Sequence, residues 1–192
     1  TTVESAIELA AGVRDLAPVL MFTYFNPIVQ FGLERFADEL VEAGACGAIV
    51  PDVPLEETGA IRAAFAPRGL ALPLLIAPTT PALRAEAIVR ASVGFTYVVS
   101  RLGVTGARRE PDFSWIADRV ARLRAESGEP LAIGFGISTA EHVRRACAIA
   151  DGAIVGSALI DSYAGTTGDD AVRRAATFMR ELSTGTPRVA PA

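Results

Sequence analysis

Pro130-Leu131-Ala132-Ile133-Gly134-Phe135-Gly136-Ile137-Ser138 is the stretch on which the fold turns. Leu131 to Ile133 is apolar without polar alternation, the pattern of a strand buried on both faces of a parallel sheet. The run stops at Gly134-Phe135-Gly136, and Ser138-Thr139-Ala140-Glu141 opens an amphipathic helix with a Ser-x-x-Glu capping box. Glycines at a strand's carboxyl end let the backbone approach a ligand and leave N–H groups to face an anion. About twenty residues on, Gly152-Ala153-Ile154-Val155-Gly156-Ser157-Ala158 repeats the arrangement. One such turn is ordinary punctuation between strand and helix. Two in succession at the end of a strand–helix array favour a phosphate site.

Outward from this stretch, apolar strands alternate with helical periodicity. The spacing predicts helices over 3–15, 33–43, 56–65, 81–90, 113–126 and 169–182, with one more starting at Ser157. Strands are predicted over 18–25, 46–50, 72–76, 94–100, 131–133 and 152–155, the first broken by Asn26-Pro27. Pro81 suits the first helical position. Strands that alternate with helices mean a parallel sheet, either doubly wound or closed into a (β/α)₈ barrel. The uniform repeat and the two glycine turns favour an α/β, phosphate-binding TIM barrel; against it stands the count, six strands where a barrel has eight, so that about six of the eight βα units would be present. One partial-barrel domain is expected over 1–183, with a frayed tail over 184–192.

Composition narrows the chemistry. The 192 residues are 51% hydrophobic and 21% charged with a net charge of −4, a globular balance that argues against nucleic acid as a partner. No apolar run approaches a membrane span, and the start at Thr1-Thr2-Val3-Glu4 shows no secretory signal. Cys46 and Cys147 stand far apart in apolar company and read as buried free thiols of a cytoplasmic protein. All 18 strongly basic residues are arginine. Without lysine, neither a Schiff-base aldolase nor a Walker-type phosphate loop is available. The single histidine, His142, falls on a predicted helix away from the strand ends; a zinc site and a Ser-His-Asp triad are disfavoured, and no metal or cofactor is expected.

A barrel builds its site at the carboxyl ends of its strands. Those ends read Thr23-Tyr24-Phe25-Asn26, Asp52, Pro78-Thr79-Thr80, Ser100 to Gly106, Gly134-Phe135-Gly136 and Gly156-Ser157. Asp52, between two prolines, reads first as a turn residue and second as a catalytic one. Glu56 and Glu57 suit a helix N-terminus. The glycine-bearing connection Arg101 to Asp112 is either a surface loop or a lid. Phe22, Tyr24, Ile49, Ile76, Tyr97 and Phe135 either line a flat apolar pocket or pack in the core.

Tyr24-x-Asn26-Pro27, Val50-Pro51-Asp52-Val53-Pro54-x-Glu56-Glu57, Ser100-Arg101-x-Gly103-Val104-Thr105-Gly106, Gly134-Phe135-Gly136-Ile137-Ser138 and Gly156-Ser157-Ala158 occur in order and with familiar spacing. Together they resemble the tryptophan synthase α subunit, from about Thr1 to about Leu182. The resemblance implies a lyase that cleaves indole-3-glycerol phosphate to indole and glyceraldehyde 3-phosphate by a retro-aldol step and passes indole to a β subunit in an αββα assembly. It implies a phosphate site at Gly106, Phe135, Gly136, Gly156 and Ser157, an indole pocket at Phe22, Tyr24, Ile49, Ile76 and Tyr97, and a lid threonine at Thr105. It implies too that the family's catalytic Glu and Asp fall ahead of Thr1, so these residues alone bind substrate poorly and do not cleave it. The alternatives are a non-catalytic phosphate- or partner-binding fragment and another phosphate-binding barrel enzyme.

Overall fold

The structure is a computed structural model and describes residues 1–100, 113–126 and 128–187. The chain divides into two compact units, Thr1–Leu75 with Ala87–Thr96 and Ile76–Glu86 with Tyr97–Ala192. The first contains α1 (Val3–Val13), β1 (Leu20–Phe22), α2 (Phe25–Phe31), α3 (Leu33–Glu42), β2 (Gly47–Ile49) and α4 (Gly59–Phe65). β3 (Leu74–Ile76), α5 (Ala82–Ala91) and β4 (Thr96–Val99) run across the division. The second unit continues with α6 (Phe113–Arg124), β5 (Leu131–Gly134), α7 (Ala140–Cys147), β6 (Gly152–Ile154), α8 (Ser157–Tyr163) and α9 (Gly168–Ser183). Strand order is β1-β2 in one sheet and β3-β4-β5-β6 in the other. The six expected strands are present, each shorter than its apolar run except β5, which extends through Gly134.

In the first unit β1 and β2 pair in parallel, Leu20 with Gly47, Met21 with Ala48 and Phe22 with Ile49. Gly47 also bridges Ala71 on its other side, and a Cβ there would sit 2.1 Å from the Ala71 carbonyl oxygen. Only glycine lets the two backbones come that close. α3 buries Phe36, Ala37 and Leu40 and turns Glu34, Arg35, Asp38 and Glu39 outward, as its periodicity requires. Phe36 stacks on Phe65 of α4 at 6.4 Å, and Phe31 meets Phe36 edge-on at 6.4 Å.

α2 departs from expectation. Asn26-Pro27 lies inside the first turn of this helix, where a proline is tolerated because its missing N–H has no intrahelical acceptor there. The helix starts because the Phe25 N–H donates to both carboxylate oxygens of Asp52, at 3.0 and 3.2 Å, across 27 residues. Cys46 also departs from expectation: it is exposed, and Cys147 is half-buried. The Cys46 backbone is committed to Val19 and Ala71 on either side, which leaves its side chain outside the apolar layer.

In the second unit α6 buries Phe113, Ile116, Val120 and Leu123 along one stripe. β5 and β6 pair in parallel, Ala132 with Gly152, Ile133 with Ala153 and Gly134 with Ile154. Asp151 locks this register: its carboxylate accepts the Leu131 N–H at 2.8 Å and the Arg124 guanidinium at 3.0 Å, while its own N–H donates to the Leu131 carbonyl at 2.8 Å. Burial pushes the Asp151 carboxyl up, but the Leu131 N–H and Arg124 together hold it below the usual range. After α9, Gly185 is buried against Ala140 of α7, where a Cβ would come within 2.1 Å of the Ala140 carbonyl oxygen.

Candidate functional site

The pairing of Gly134 with Ile154 puts the ends of β5 and β6 side by side, so Phe135-Gly136 and Val155-Gly156-Ser157 leave the sheet at the same edge. Phe135 and Gly136 both have left-handed backbones, with φ of 70° and 79°. For Gly136 this is free. For Phe135 it costs of order 1–3 kcal/mol, which the surroundings must offset. They do so from two sides. The Ser100 hydroxyl donates to the Phe135 carbonyl, and the Phe135 ring lies 5.9 Å from the Tyr97 ring at a 45° tilt. The Ser100 N–H donates to the Gly134 carbonyl at 2.9 Å, tying the end of β4 to the end of β5.

Gly134 is itself a packing requirement: a Cβ there would fall 2.2 Å from the Tyr97 phenol oxygen. Tyr97 is 5% exposed, and desolvation pushes its phenol up to about 12, so it stays a neutral hydroxyl at physiological pH. At the other turn Gly156 is the N-cap of α8 and carries no side chain to cap it. The first-turn N–H groups of α8 therefore have no side-chain cap.

Ile76, at the end of β3 in the same unit, is fully buried. The expected phosphate residues Phe135, Gly136, Gly156 and Ser157 are thus brought together at one sheet edge, with Tyr97 against Phe135. In the other unit Phe22 and Ile49 are cross-strand partners at the ends of β1 and β2; Ile49 is buried, and Phe22 is exposed. Tyr24 is the N-cap of α2 and 64% exposed. Thr105 and Gly106 lie outside the described residues, as does the rest of the connection from Arg101 to Asp112.

Sequence reasoning missed three residues. Asp52 spends both carboxylate oxygens on the Phe25 N–H, which gives it a capping role. Ser100 holds the strained Phe135. The third is His142. Thr139, one residue beyond the expected position, caps α7 by accepting the His142 N–H at 3.1 Å, and Glu141 pairs with Arg144 instead of closing a capping box. His142, 7% exposed, reaches back so that its Nδ1 accepts the Ser138 N–H at 3.3 Å. It belongs to the turn that follows β5, not to a remote helix. A Thr-x-x-His at a helix start is the signal that could have found it.

Among the described residues no group of three or more His, Cys, Asp or Glu is arranged to hold a metal, and no helix is long and apolar enough to cross a membrane. A shallow groove between α8 and α9 carries Arg173 and Arg174, both paired with Asp170 at 3.1 and 3.2 Å.

Residues 1–186 match the family described as "Tryptophan synthase alpha chain". The chain belongs to the tryptophan synthase alpha chain family. The tryptophan synthase alpha chain of Chloroflexus aggregans is 45% identical over 173 residues, 90% of this chain and 64% of that one. That of a Roseiflexus species is 44% identical over 182 residues, 93% of this chain and 69% of its own. This chain therefore spans about two thirds of the length of such relatives. Tryptophan synthase of Mycobacterium tuberculosis superposes with a TM-score of 0.86 at 30% identity, over 97% of this chain and 69% of that one. Tryptophan synthase subunit alpha of Campylobacter jejuni gives 0.81 at 28% identity, over 93% and 70%. The fold is that of the tryptophan synthase alpha TIM barrel, and the described βα units are part of such a barrel.

Proposed function

We propose that this chain is part of the lyase component of tryptophan synthase, which acts in tryptophan biosynthesis. The reaction is retro-aldol cleavage of indole-3-glycerol phosphate to indole and glyceraldehyde 3-phosphate, and a β subunit takes up the indole in an αββα assembly. The observation that carries this is the side-by-side pair of turns after β5 and β6, with α8 uncapped by any side chain, in a member of this family. Backbone N–H groups of Gly136, Gly156 and Ser157, with Gly106, hold the phosphate dianion, and Phe135 flanks it. Helix N-terminal N–H groups suit such a charge without any lysine. Phe22, Tyr24, Ile49, Ile76 and Tyr97 border the indole ring, and Thr105 belongs to the lid. An apolar slot with few polar groups suits an aromatic ring, and a lid excludes water. Residues 1–183 form one partial-barrel domain, and the protein is cytoplasmic.

Cleavage requires a proton delivered to indole C3 and another removed from the glycerol hydroxyl as the carbon–carbon bond breaks; carboxylates suit both transfers. Asp52 is engaged as a cap, and the Tyr97 phenol stays protonated. On this reading the acid–base Glu and Asp of the family match no position among these 192 residues, which by themselves bind substrate poorly and do not cleave it. The test is calorimetric titration of purified residues 1–192 with glyceraldehyde 3-phosphate and indole-3-glycerol phosphate, beside an assay for released indole with and without added β subunit. Weak binding without indole release is expected. No binding of either phosphate would overturn the site; indole release would overturn the allocation of catalytic groups.

A further inference from the structure

We propose that His142 is a positioning residue for the turn after β5, and that it works as a proton-sensitive latch; the functional half of this rests on the reading of that turn as a phosphate site. The turn is held at both ends. Ser100 holds the Phe135 carbonyl, Ile137 is buried, and the Ser138 N–H donates to His142 Nδ1 at 3.3 Å, with the Ser138 hydroxyl 3.4 Å from the same nitrogen. A backbone N–H can only donate, so Nδ1 must present its lone pair. The latch is therefore closed only with the imidazole neutral and its proton on Nε2. Protonation turns Nδ1 into a donor facing a donor and puts a positive charge in the first turn of α7, where the helix dipole opposes it. The hold on the Ser138 N–H is present while the ring is neutral and is lost when the ring is protonated, which leaves only the Ser138 hydroxyl oxygen to accept from Nδ1.

The charged and titratable groups on the described elements packed against the ring are these. On α7, Glu141 pairs with Arg144, and Arg145 lies over the Phe113 ring at 4.4 Å. Phe113 of α6 contributes an uncharged ring 6.5 Å from the imidazole. α7 also packs against β6 and α9. Beside β6, Asp151 is held ionised by Leu131 and Arg124, and burial pushes the Cys147 thiol up and away from neutrality. From beyond α9, Gly185 packs on Ala140 and Val143 of α7 and brings no charge. His142 is the only histidine in the chain.

The test uses the ¹⁵N-labelled chain. Long-range correlation spectra should show the Nε2–H tautomer of His142 at pH 7.5. The Ser138 amide should shift with the same midpoint as the ring, and its exchange protection should fall about fivefold on protonation, as the loss of one hydrogen bond implies. His142→Gln keeps an acceptor and cannot titrate, so its Ser138 amide should be flat from pH 5 to 8; His142→Phe should resemble the protonated protein throughout. Sulfate, a dianion across this range, is the ligand probe: at pH 7.5 it should bind His142→Gln as it binds the unaltered chain and His142→Phe several-fold more weakly. An Nδ1–H tautomer, a Ser138 amide that ignores the ring, or a titrating His142→Gln overturns the latch. Equal sulfate binding by all three proteins overturns the positioning role. If sulfate binds none of them, the phosphate reading of the turn falls, while the amide and tautomer data still decide the latch.

Discussion

Replacing Gly134 with alanine adds one methyl group at the tightest point of the candidate site. Its Cβ would lie 2.2, 2.3 and 2.5 Å from the phenol oxygen, Cε2 and Cζ of Tyr97. These are all well inside contact distance, and Tyr97 is too buried to swing away freely. The backbone cannot yield easily either, because the Gly134 carbonyl accepts the Ser100 N–H and Gly134 pairs with Ile154. Gly134 has an ordinary backbone angle, so the cost is steric and not conformational. Overpacking of a close-packed site typically costs about 1–3 kcal/mol, and a clash with three atoms of a rigid ring belongs at the upper end. At about 2–4 °C per kcal/mol for a chain of this length, the melting temperature should fall by roughly 5–10 °C. The partner responsible is identified by a double-mutant cycle with Tyr97→Leu, read by urea denaturation. Tyr97→Leu alone is destabilising, but the alanine should cost at least about 1 kcal/mol less in its presence, within the range found for residues in contact. Tyr97→Phe removes only the oxygen and should give little relief. Additive effects of Gly134→Ala and Tyr97→Leu would refute the claim that this ring sets the requirement for glycine.

Three further outcomes follow from contacts described above. Phe135→Gly should be more stable than Phe135→Ala by about 1 kcal/mol in urea denaturation, because both lose the ring but only glycine sheds the left-handed strain; the reverse order would deny the strain. Asp52→Ala should cost about 1 kcal/mol, the ordinary value of an N-cap, and an amide-exchange measurement should localise the loss to the first turn of α2. Asp151→Asn keeps an acceptor for Leu131 and loses only the charge. Because the Asp151 carboxyl is held below its usual range, its contribution is present above about pH 4 and disappears as pH falls through its own titration. The unaltered chain should therefore exceed Asp151→Asn by up to about 1 kcal/mol at pH 7, since the ion pair with Arg124 is part-exposed, and the two should converge once the carboxyl is protonated in acid.

Local pattern carried the alternation of strands and helices and the two glycine turns, because burial on both faces and the need for small residues at a close approach both write themselves into adjacent residues. What it could not carry was long-range. The start of α2 depends on Asp52, so Asn26-Pro27 read as a break although the helix continues through it. Cys46 sits among apolar neighbours in sequence, but its side chain lies outside the apolar layer, because the pairing on both sides of its backbone sets where it points. The end of β5 was legible as a glycine turn, yet the groups that hold it, Ser100 and His142, come from another strand and from the following helix.

The bond between Asp52 and the Phe25 N–H also has a kinetic meaning. α2 is only seven residues long, too short to persist alone, and the group that starts it arrives from beyond β2. Its first turn can close only after β1 and β2 have aligned, so α2 should be a late event in folding. Asp52→Ala would then speed unfolding and leave the refolding rate nearly unchanged, which makes this one hydrogen bond a clock for the assembly of the first unit.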